Sequence, residues 1–342
     1  MSEGLILVTG GAGYVGSVLV PKLVNRGYRV RVLDRFFWGP GHLEGLPEVE
    51  LVGRDVRDLS CEDLEGVSAV VHLAGLSNDP TAEFNPQANW EMNARATAQL
   101  AEACLKTGVS RLVFSSSCSV YDGLGSETLL DETACVRPCA PYPKSKYHAE
   151  RKLLEASERG LEAVILRQAT VSGYSPRMRF DLVLNTFVKD ALVKGRLFLH
   201  DGGWQWRPLV DVEDLCEAQI RCIEAPGEVV AGQIFNVVQE NYRIRELAML
   251  VAGSVQLSVR PVELVEVPAP CTTRDYRCSG ARLTDRLGFT CERTPFASIA
   301  DILSNLGEVN GQDFEHPRYY NIRWMELLSE VHEYLKPFPS VF

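Results

Sequence analysis

The sequence predicts an α/β protein: a doubly wound parallel sheet with helices on both faces, followed by a smaller C-terminal α/β domain. Three observations predict it. Short apolar runs of strand character alternate with helical patterns, at the rhythm of βαβ units, as far as about residue 175. The first run, Leu5-Ile-Leu-Val-Thr9, passes directly into glycines at positions 10, 13 and 16. Beyond residue 175 the rhythm breaks, as it does where a second domain begins.

Those glycines answer three separate needs. The turn takes backbone angles that a side chain resists, a pyrophosphate must approach the main chain closely, and the next helix packs tightly on the strand. That helix, carried by Val18, Leu19, Val20, Leu23 and Val24, aims its free N–H groups and positive dipole end at phosphates. The unit therefore reads as a Rossmann-type dinucleotide site, with Gly10, Gly13 and Gly16 at the pyrophosphate. The second strand, Arg29–Leu33, ends in Asp34, close to the spacing of an acid that accepts from both ribose hydroxyls and repels a 2′-phosphate. NAD is thus favoured over NADP, although Arg35, also placed with the cofactor, pulls the other way.

Further strands are expected at Glu50–Val52, Ala69–Leu73, Arg111–Ser115 and Ala163–Arg167, with helices at Asn89–Lys106 and Pro143–Arg159. Ligands of such a sheet gather at the carboxyl ends of its strands. The expected division is an NAD-binding domain over residues 1–175 and a mainly substrate-binding domain over 176–342. Segment 208–238 is expected to return to the first domain through a strand at Pro208–Val212, a helix, and a strand at Ile234–Val238. Pro268–Cys278 is expected to form a loop at the cleft.

Composition narrows the partners. The chain has 342 residues, 46% hydrophobic and 23% charged, enough for one sizeable domain and a companion. A net charge of −10 gives no general basic surface, which argues against nucleic acid and requires an anionic ligand to be held locally. Ten cysteines, at 61, 104, 118, 135, 139, 216, 222, 271, 278 and 291, show neither a Cys-x-x-Cys pair nor a zinc spacing. They are expected to be reduced packing residues of a cytoplasmic protein. The first apolar run is five residues long, too short for a signal core or a membrane span, and no membrane segment is expected elsewhere. His42, His148, His200, His316 and His332 show no ligand spacing, so no metal is expected.

A second constellation carries the chemistry. In Ala140-Pro-Tyr-Pro-Lys-Ser-Lys146, Tyr142 and Lys146 are four residues apart, so their side chains share one helix face. A phenol normally loses its proton near pH 10, and a neighbouring ammonium favours the phenolate. Tyr142 then serves as general base or acid on a sugar hydroxyl, and Lys146 also hydrogen-bonds the nicotinamide ribose. Ser117, closing the strand of Phe114-Ser-Ser-Ser-Cys-Ser-Val-Tyr121, donates to the oxygen whose charge changes as hydride moves.

Together the glycine turn, Asp34, Gly53-Arg-Asp-Val56, His72-Leu-Ala-Gly75, Asn93, the serine run and Tyr142-Pro-Lys-Ser-Lys146 carry a family likeness. The chain resembles the extended short-chain dehydrogenase/reductases, in particular the NAD-dependent nucleotide-sugar epimerases and dehydratases, over nearly its whole length. That resemblance implies that Tyr14 and Val15 join the three glycines around the pyrophosphate, and that Asp55 and Val56 contact the adenine. It also places Leu73, Ala74, Gly75 and Asn93 near the cofactor. Arg177, Arg179, Asn185, Arg207 and Arg277 fall where the family grips a sugar nucleotide, and guanidinium forks suit its diphosphate. Cys118 and Thr170 are placed with the substrate too, and Trp204 and Trp206 near it.

There are departures. The family's usual Arg-Asp-Tyr-x-His-Val-x-Asp-Asp is here Trp206-Arg-Pro-Leu-Val-Asp-Val-Glu-Asp214, with Asp211 where histidine is common, and Thr170 replaces an asparagine. Sugar-nucleotide 4,6-dehydratases carry an adjacent Asp-Glu pair after the hydroxyl residue, where this chain has Cys118 and Ser119. A thiol and a hydroxyl replace those carboxyls poorly, so dehydration is disfavoured. The resemblance then implies a nucleotide-sugar 4-epimerase, with a 4-ketoreductase using external NAD(P)H as the alternative and a non-catalytic dinucleotide sensor as a third class. It also implies a homodimer through the two long helices, where Ala98, Leu100, Ala101, Leu105, Leu153 and Leu154 offer apolar stripes.

Overall fold

In the computed structural model, which describes residues 4–258, 260–269, 274–306 and 313–336, the strands follow one another as β1 (Leu5–Thr9), β2 (Arg29–Asp34), β3 (Val49–Gly53), β4 (Val67–His72), β5 (Arg111–Ser117), β6 (Leu129–Leu130), β7 (Glu162–Gln168), β8 (Thr170–Ser172), β9 (Arg196–His200), β10 (Trp206–Asp211), β11 (Gln233–Val237), β12 (Glu240–Arg243), β13 (Glu263–Val267) and β14 (Arg277–Cys278). Seven of them form one parallel sheet in the order β11-β7-β5-β4-β1-β2-β3. Its inner strands are buried on both faces, Ile6, Leu7 and Val8 to one side of the middle and Val70, Val71, Leu112 and Val113 to the other. That double burial is why they read as continuous apolar runs rather than as alternating ones. The chain winds outward from β1 through β2 to β3, then returns to β4 and winds outward the other way. Strand order therefore reverses between β1 and β4, the place where a doubly wound sheet opens a crevice.

Two helices differ from expectation in ways that bear on the site. The one expected over Asn89–Lys106 is broken into a short helix Pro86–Asn89, a π-helical turn Trp90–Arg95, and a helix Ala96–Thr107. The other starts at Pro141 and ends at Ser157, so Tyr142 sits in its first turn. Of the six apolar residues expected to offer stripes for a partner, Leu100, Ala101 and Leu153 are buried in the core beneath the sheet, which leaves Ala98, Leu105 and Leu154 half-buried.

The return of segment 208–238 is only partial. β11 joins the main sheet beside β7, and the helix Val212–Glu224 packs against Gly16–Asn25, where Lys22 pairs with Glu213 at 2.6 Å. The strand expected at Pro208–Val212, however, forms as β10 and pairs with β8 and β12 in a separate three-stranded sheet. The cause lies at Ala169, whose N–H still bonds Val237 in the main sheet before β8 peels away and offers β10 a free parallel edge. Within the expected loop Pro268–Cys278, Arg277–Cys278 pairs with β6, while residues 270–273, Cys271 among them, lie outside the described residues. Cys104, Cys118, Cys216, Cys222, Cys278 and Cys291 are buried, and Cys61, Cys135 and Cys139 are exposed.

Candidate active site

A cleft of ≈ 360 Å³ opens over the carboxyl ends of β1, β2, β4, β5 and β7. Its floor is the glycine turn, and the turn explains its own residues. Gly10 has φ +72°, and a Cβ there would lie 2.7 Å from the Ala74 nitrogen at the end of β4. At Gly16 a Cβ would lie 2.4 Å from the Gly11 carbonyl oxygen, so only glycine lets the helix start this close to the strand. A Cβ on Gly13 would meet only the Gly10 carbonyl oxygen, at 3.1 Å, and would otherwise project into open space. A cradle that one methyl group would fill fits a dinucleotide pyrophosphate.

Of the residues expected at the cofactor, Tyr14, Val15, Asp34, Arg35, Val56, Leu73, Ala74 and Gly75 line the cleft with these glycines. Asp34 is held by the amides of Ala12 at 3.1 Å and Phe36 at 2.8 Å. Burial raises its carboxyl above the ordinary range, against those two hydrogen bonds and the charge of Arg177. Phe36 adopts φ +53°, a strained conformation for phenylalanine, so the loop spends backbone strain to keep that amide on Asp34. Removing the carboxylate by Asp34→Ala should therefore weaken NAD binding and narrow the preference over NADP, by about tenfold for the loss of charge-assisted hydrogen bonds. Titrations of both nucleotides check this, and two unchanged affinities would exclude Asp34 as the ribose-binding acid.

Asp55 and Asn93 do not line the cleft. The Asp55 carboxylate is occupied by Arg57 at 2.7 Å and Arg35 at 3.1 Å; burial opposes its charge, but the Arg57 hydrogen bonds outweigh that and hold it below the ordinary carboxylate range. Asn93, turned inward by the π-helical stretch, accepts from the Leu76 amide and donates to the Leu76 carbonyl, both at 2.8 Å. It thus clamps the loop after β4 from behind. His72 plays a similar buried part, bonded to Thr9 at 2.6 Å and Thr97 at 2.9 Å, and burial pushes it down to about 3, so the imidazole is neutral.

Ser117, Tyr142 and Lys146 all line the cleft. Lys146 donates to the Ser115 carbonyl at 2.9 Å and lies 4.7 Å from the Phe114 ring centroid. Burial pushes its ammonium down to about 8, against the pull of Glu150 one helical turn away. Tyr142 is pushed up to about 12 by burial, which outweighs its hydrogen bond with Ser117 and the charge of Arg179. The expectation was that a neighbouring ammonium favours the phenolate; in the protein without cofactor burial outweighs the groups that favour it, and the phenol keeps its proton. Ser117 is itself fixed, accepting from the Ser119 amide at 3.1 Å.

The expected substrate residues divide. Thr170, Arg177 and Arg179 line the cleft. Arg179 grips Asp181 through two nitrogens, at 2.8 and 3.0 Å. Cys118, Asn185, Arg207 and Arg277 lie off its wall. Cys118 is buried with its thiol on the Arg167 carbonyl, and Asn185 donates to the Tyr14 hydroxyl at 3.2 Å. Arg207 donates to the carbonyls of Trp206 and Arg274, and Arg277 to those of Ser126 and Glu127. Trp206 is covered by Arg243 at 4.7 Å and Arg277 at 5.3 Å, while Trp204 is 57% exposed. Both tryptophans stand outside the cleft. Asp211, in the histidine's place, is also away from it: Arg293 and Ser298 bind its carboxylate and dock the helix Pro295–Leu306.

The wall also contains residues that motif reading missed: Trp38, Ser77, Gln168, Arg274, Asn321 and Met325. Gln168 extends β7 by one residue, and its buried Oε1 has no hydrogen-bond partner among the described residues. Its place at a strand end was the one available signal. Among the described residues no group of three or more His, Cys, Asp or Glu could hold a metal, and no helix is long and apolar enough to cross a membrane.

Residues 6–237 match the profile of the NAD dependent epimerase/dehydratase family. A UDP-glucose 4-epimerase of Streptomyces lividans is 35% identical over 322 residues, covering 87% of this chain and 95% of its own. UDP-glucuronic acid decarboxylase 4 of Arabidopsis thaliana is 31% identical over 255 residues, which is 69% of this chain and 56% of that protein. Among solved structures, MoeE5 in complex with UDP-glucuronic acid and NAD is similar with a TM-score of 0.75 at 26% identity, covering 88% of this chain and 99% of that one.

Proposed function

Because the chain belongs to the NAD-dependent epimerase/dehydratase family, we propose that it is a nucleotide-sugar 4-epimerase, which oxidises C4 of the sugar transiently and returns the hydride to the opposite face. One observation carries the choice of reaction within the family. The carboxylates lining the cleft among the described residues are Asp34, held at the end of β2 by the amides of Ala12 and Phe36, and Asp181, bound by Nε and Nη2 of Arg179. Neither is free to serve as the extra acid or base that eliminating water across C5 and C6 demands, and the turn after Ser117 holds a buried thiol and a buried hydroxyl instead. Reversible oxidation at a single carbon needs only what the cleft offers.

The residues divide the work. Tyr142 takes the C4 hydroxyl proton and gives it back. Ser117 donates to the same oxygen as its charge changes, and Lys146, one helical turn on along the same helix, supplies a positive charge to the cleft. When bound, NAD supplies the hydride acceptor and donor and, in its oxidised form, a further positive charge in the cleft. Arg179 lines the cleft with its guanidinium committed to Asp181 and Ser77, so in this reading the substrate diphosphate would have to compete with those partners for it. The name of the S. lividans relative supports a UDP-sugar as substrate. A second copy of the chain is proposed against the outer faces of helices Ala96–Thr107 and Pro141–Ser157, and a cytoplasmic location is proposed with it, on the reading of the cysteines as reduced.

The test is to denature the purified protein, identify released nicotinamide nucleotide by mass spectrometry, and incubate native enzyme with a panel of UDP-sugars without added cofactor. C4 isomers formed by protein that carries NAD support the proposal. Turnover only on adding NADH or NADPH to a keto sugar would replace it with a reductase.

A further inference from the structure

We infer that the C-terminal helix, together with Arg177, forms the closing wall of the NAD site, so that the cofactor is retained through turnovers and leaves only when this helix lifts. The helix Asn321–Leu335 lies beyond the 6–237 stretch that matches the family profile. It nevertheless reaches the two loops that flank the cofactor end of the cleft. Asn321, at its first turn, donates to Ser77 in the loop after β4 at 2.8 Å, and its amide bonds Asp181 at 3.2 Å. Trp324 donates to the Phe37 carbonyl, in the loop after β2, at 3.0 Å. Met325 and Asn321 themselves line the cleft, as do Asp34 and Arg35.

Arg177 is the tongue of this clasp. Its guanidinium lies 3.9 Å from the Trp38 ring centroid and donates to Asn321 at 2.6 Å, and its charge is felt at Asp34. Family likeness assigned it to the substrate; its partners here set it beside Asp34, the acid read as binding the cofactor ribose. Its Nε is buried and has no hydrogen-bond partner among the described residues. A buried cationic donor left unpaired is costly, and an anionic oxygen satisfies it. The chemistry that fits is a phosphate oxygen of the dinucleotide, held between the glycine turn on one side and the helix on the other. The inference rests on NAD being the cofactor and stands or falls independently of the 4-epimerase reading.

The experiment follows exchange of bound NAD for isotopically labelled NAD in the full-length holoenzyme, with rapid desalting and mass spectrometry of the retained nucleotide. Arg177→Met and Asn321→Leu should each speed exchange by at least about tenfold, the scale of one lost charge-assisted hydrogen bond. Glu330→Gln, on the exposed face of the same helix, should exchange like the parent. Exchange within about twofold of the parent in both cleft variants would overturn the inference. So would an Arg177→Met protein that loses UDP binding alone. Amide hydrogen exchange on the unmodified protein gives the answer without any variant: NAD should slow exchange across residues 321–335, and unchanged exchange there would also overturn it.

Discussion

Tyr142→Phe is expected to cut turnover by roughly 10²–10⁴-fold while the protein keeps its NAD. The substitution removes one oxygen from a ring that is 7% exposed and lines the cleft, so the volume is nearly preserved and the fold should tolerate it. What disappears is the group proposed to take and return the C4 hydroxyl proton. Burial holds this phenol up to about 12 in the absence of cofactor, which means it is poised as an acid and needs added positive charge to act as a base. Ser117 would keep its own hydrogen bond from Ser119 and can orient the substrate oxygen, but it cannot replace a titrating group. Turnover near the parent value would remove Tyr142 from the reaction.

Lys146→Met should lower both NAD affinity and rate, on the order of a hundredfold in kcat/KM, because one ammonium is asked to serve ribose and phenol together. It also makes a prediction about pH that separates charge from shape. Burial pushes Lys146 from 10.5 down to about 8, so between those values the unfolded chain holds a proton that the folded chain has released. Stability contributed by this site therefore rises with pH through that window, and below about 8 the full cost of burying the ammonium is present. Relative to Lys146→Met, the NAD-free parent should gain thermal stability as pH climbs from 8 towards 10.5. A difference in Tm that does not change with pH would show that Lys146 is not desolvated in this way.

How much of this was legible in the chain depended on the distance over which a pattern acts. The sheet and the glycine turn were readable because periodicity and turn sterics are local: Gly10, Gly13 and Gly16 each occupy the position that their spacing implied. Tyr142 and Lys146 were readable because one helical turn sets them on the same face. The other wall was not. Asn321 meets Ser77 across 244 residues and Arg177 across 144, and no spacing rule reaches that far. Arg177 acquires its partners at the same range: no local pattern in the sequence announces that it meets Trp38 and Asn321. β10 illustrates the converse. Its strand character was plain from Pro208 to Asp211, but its choice of sheet was decided by where the chain leaves β7 at Ala169, which is a property of the assembled sheet.

The central claim is that hydride leaves C4 and returns to C4 within one bound state, and an isotope at that carbon tests it most directly. Purified enzyme carrying its own NAD would be given a UDP-hexose bearing deuterium at C4, with no nucleotide added, and the products separated and weighed. The account predicts a C4 epimer that retains the deuterium. Epimer lacking the label, or no epimer until NADH or NADPH is supplied, would contradict it.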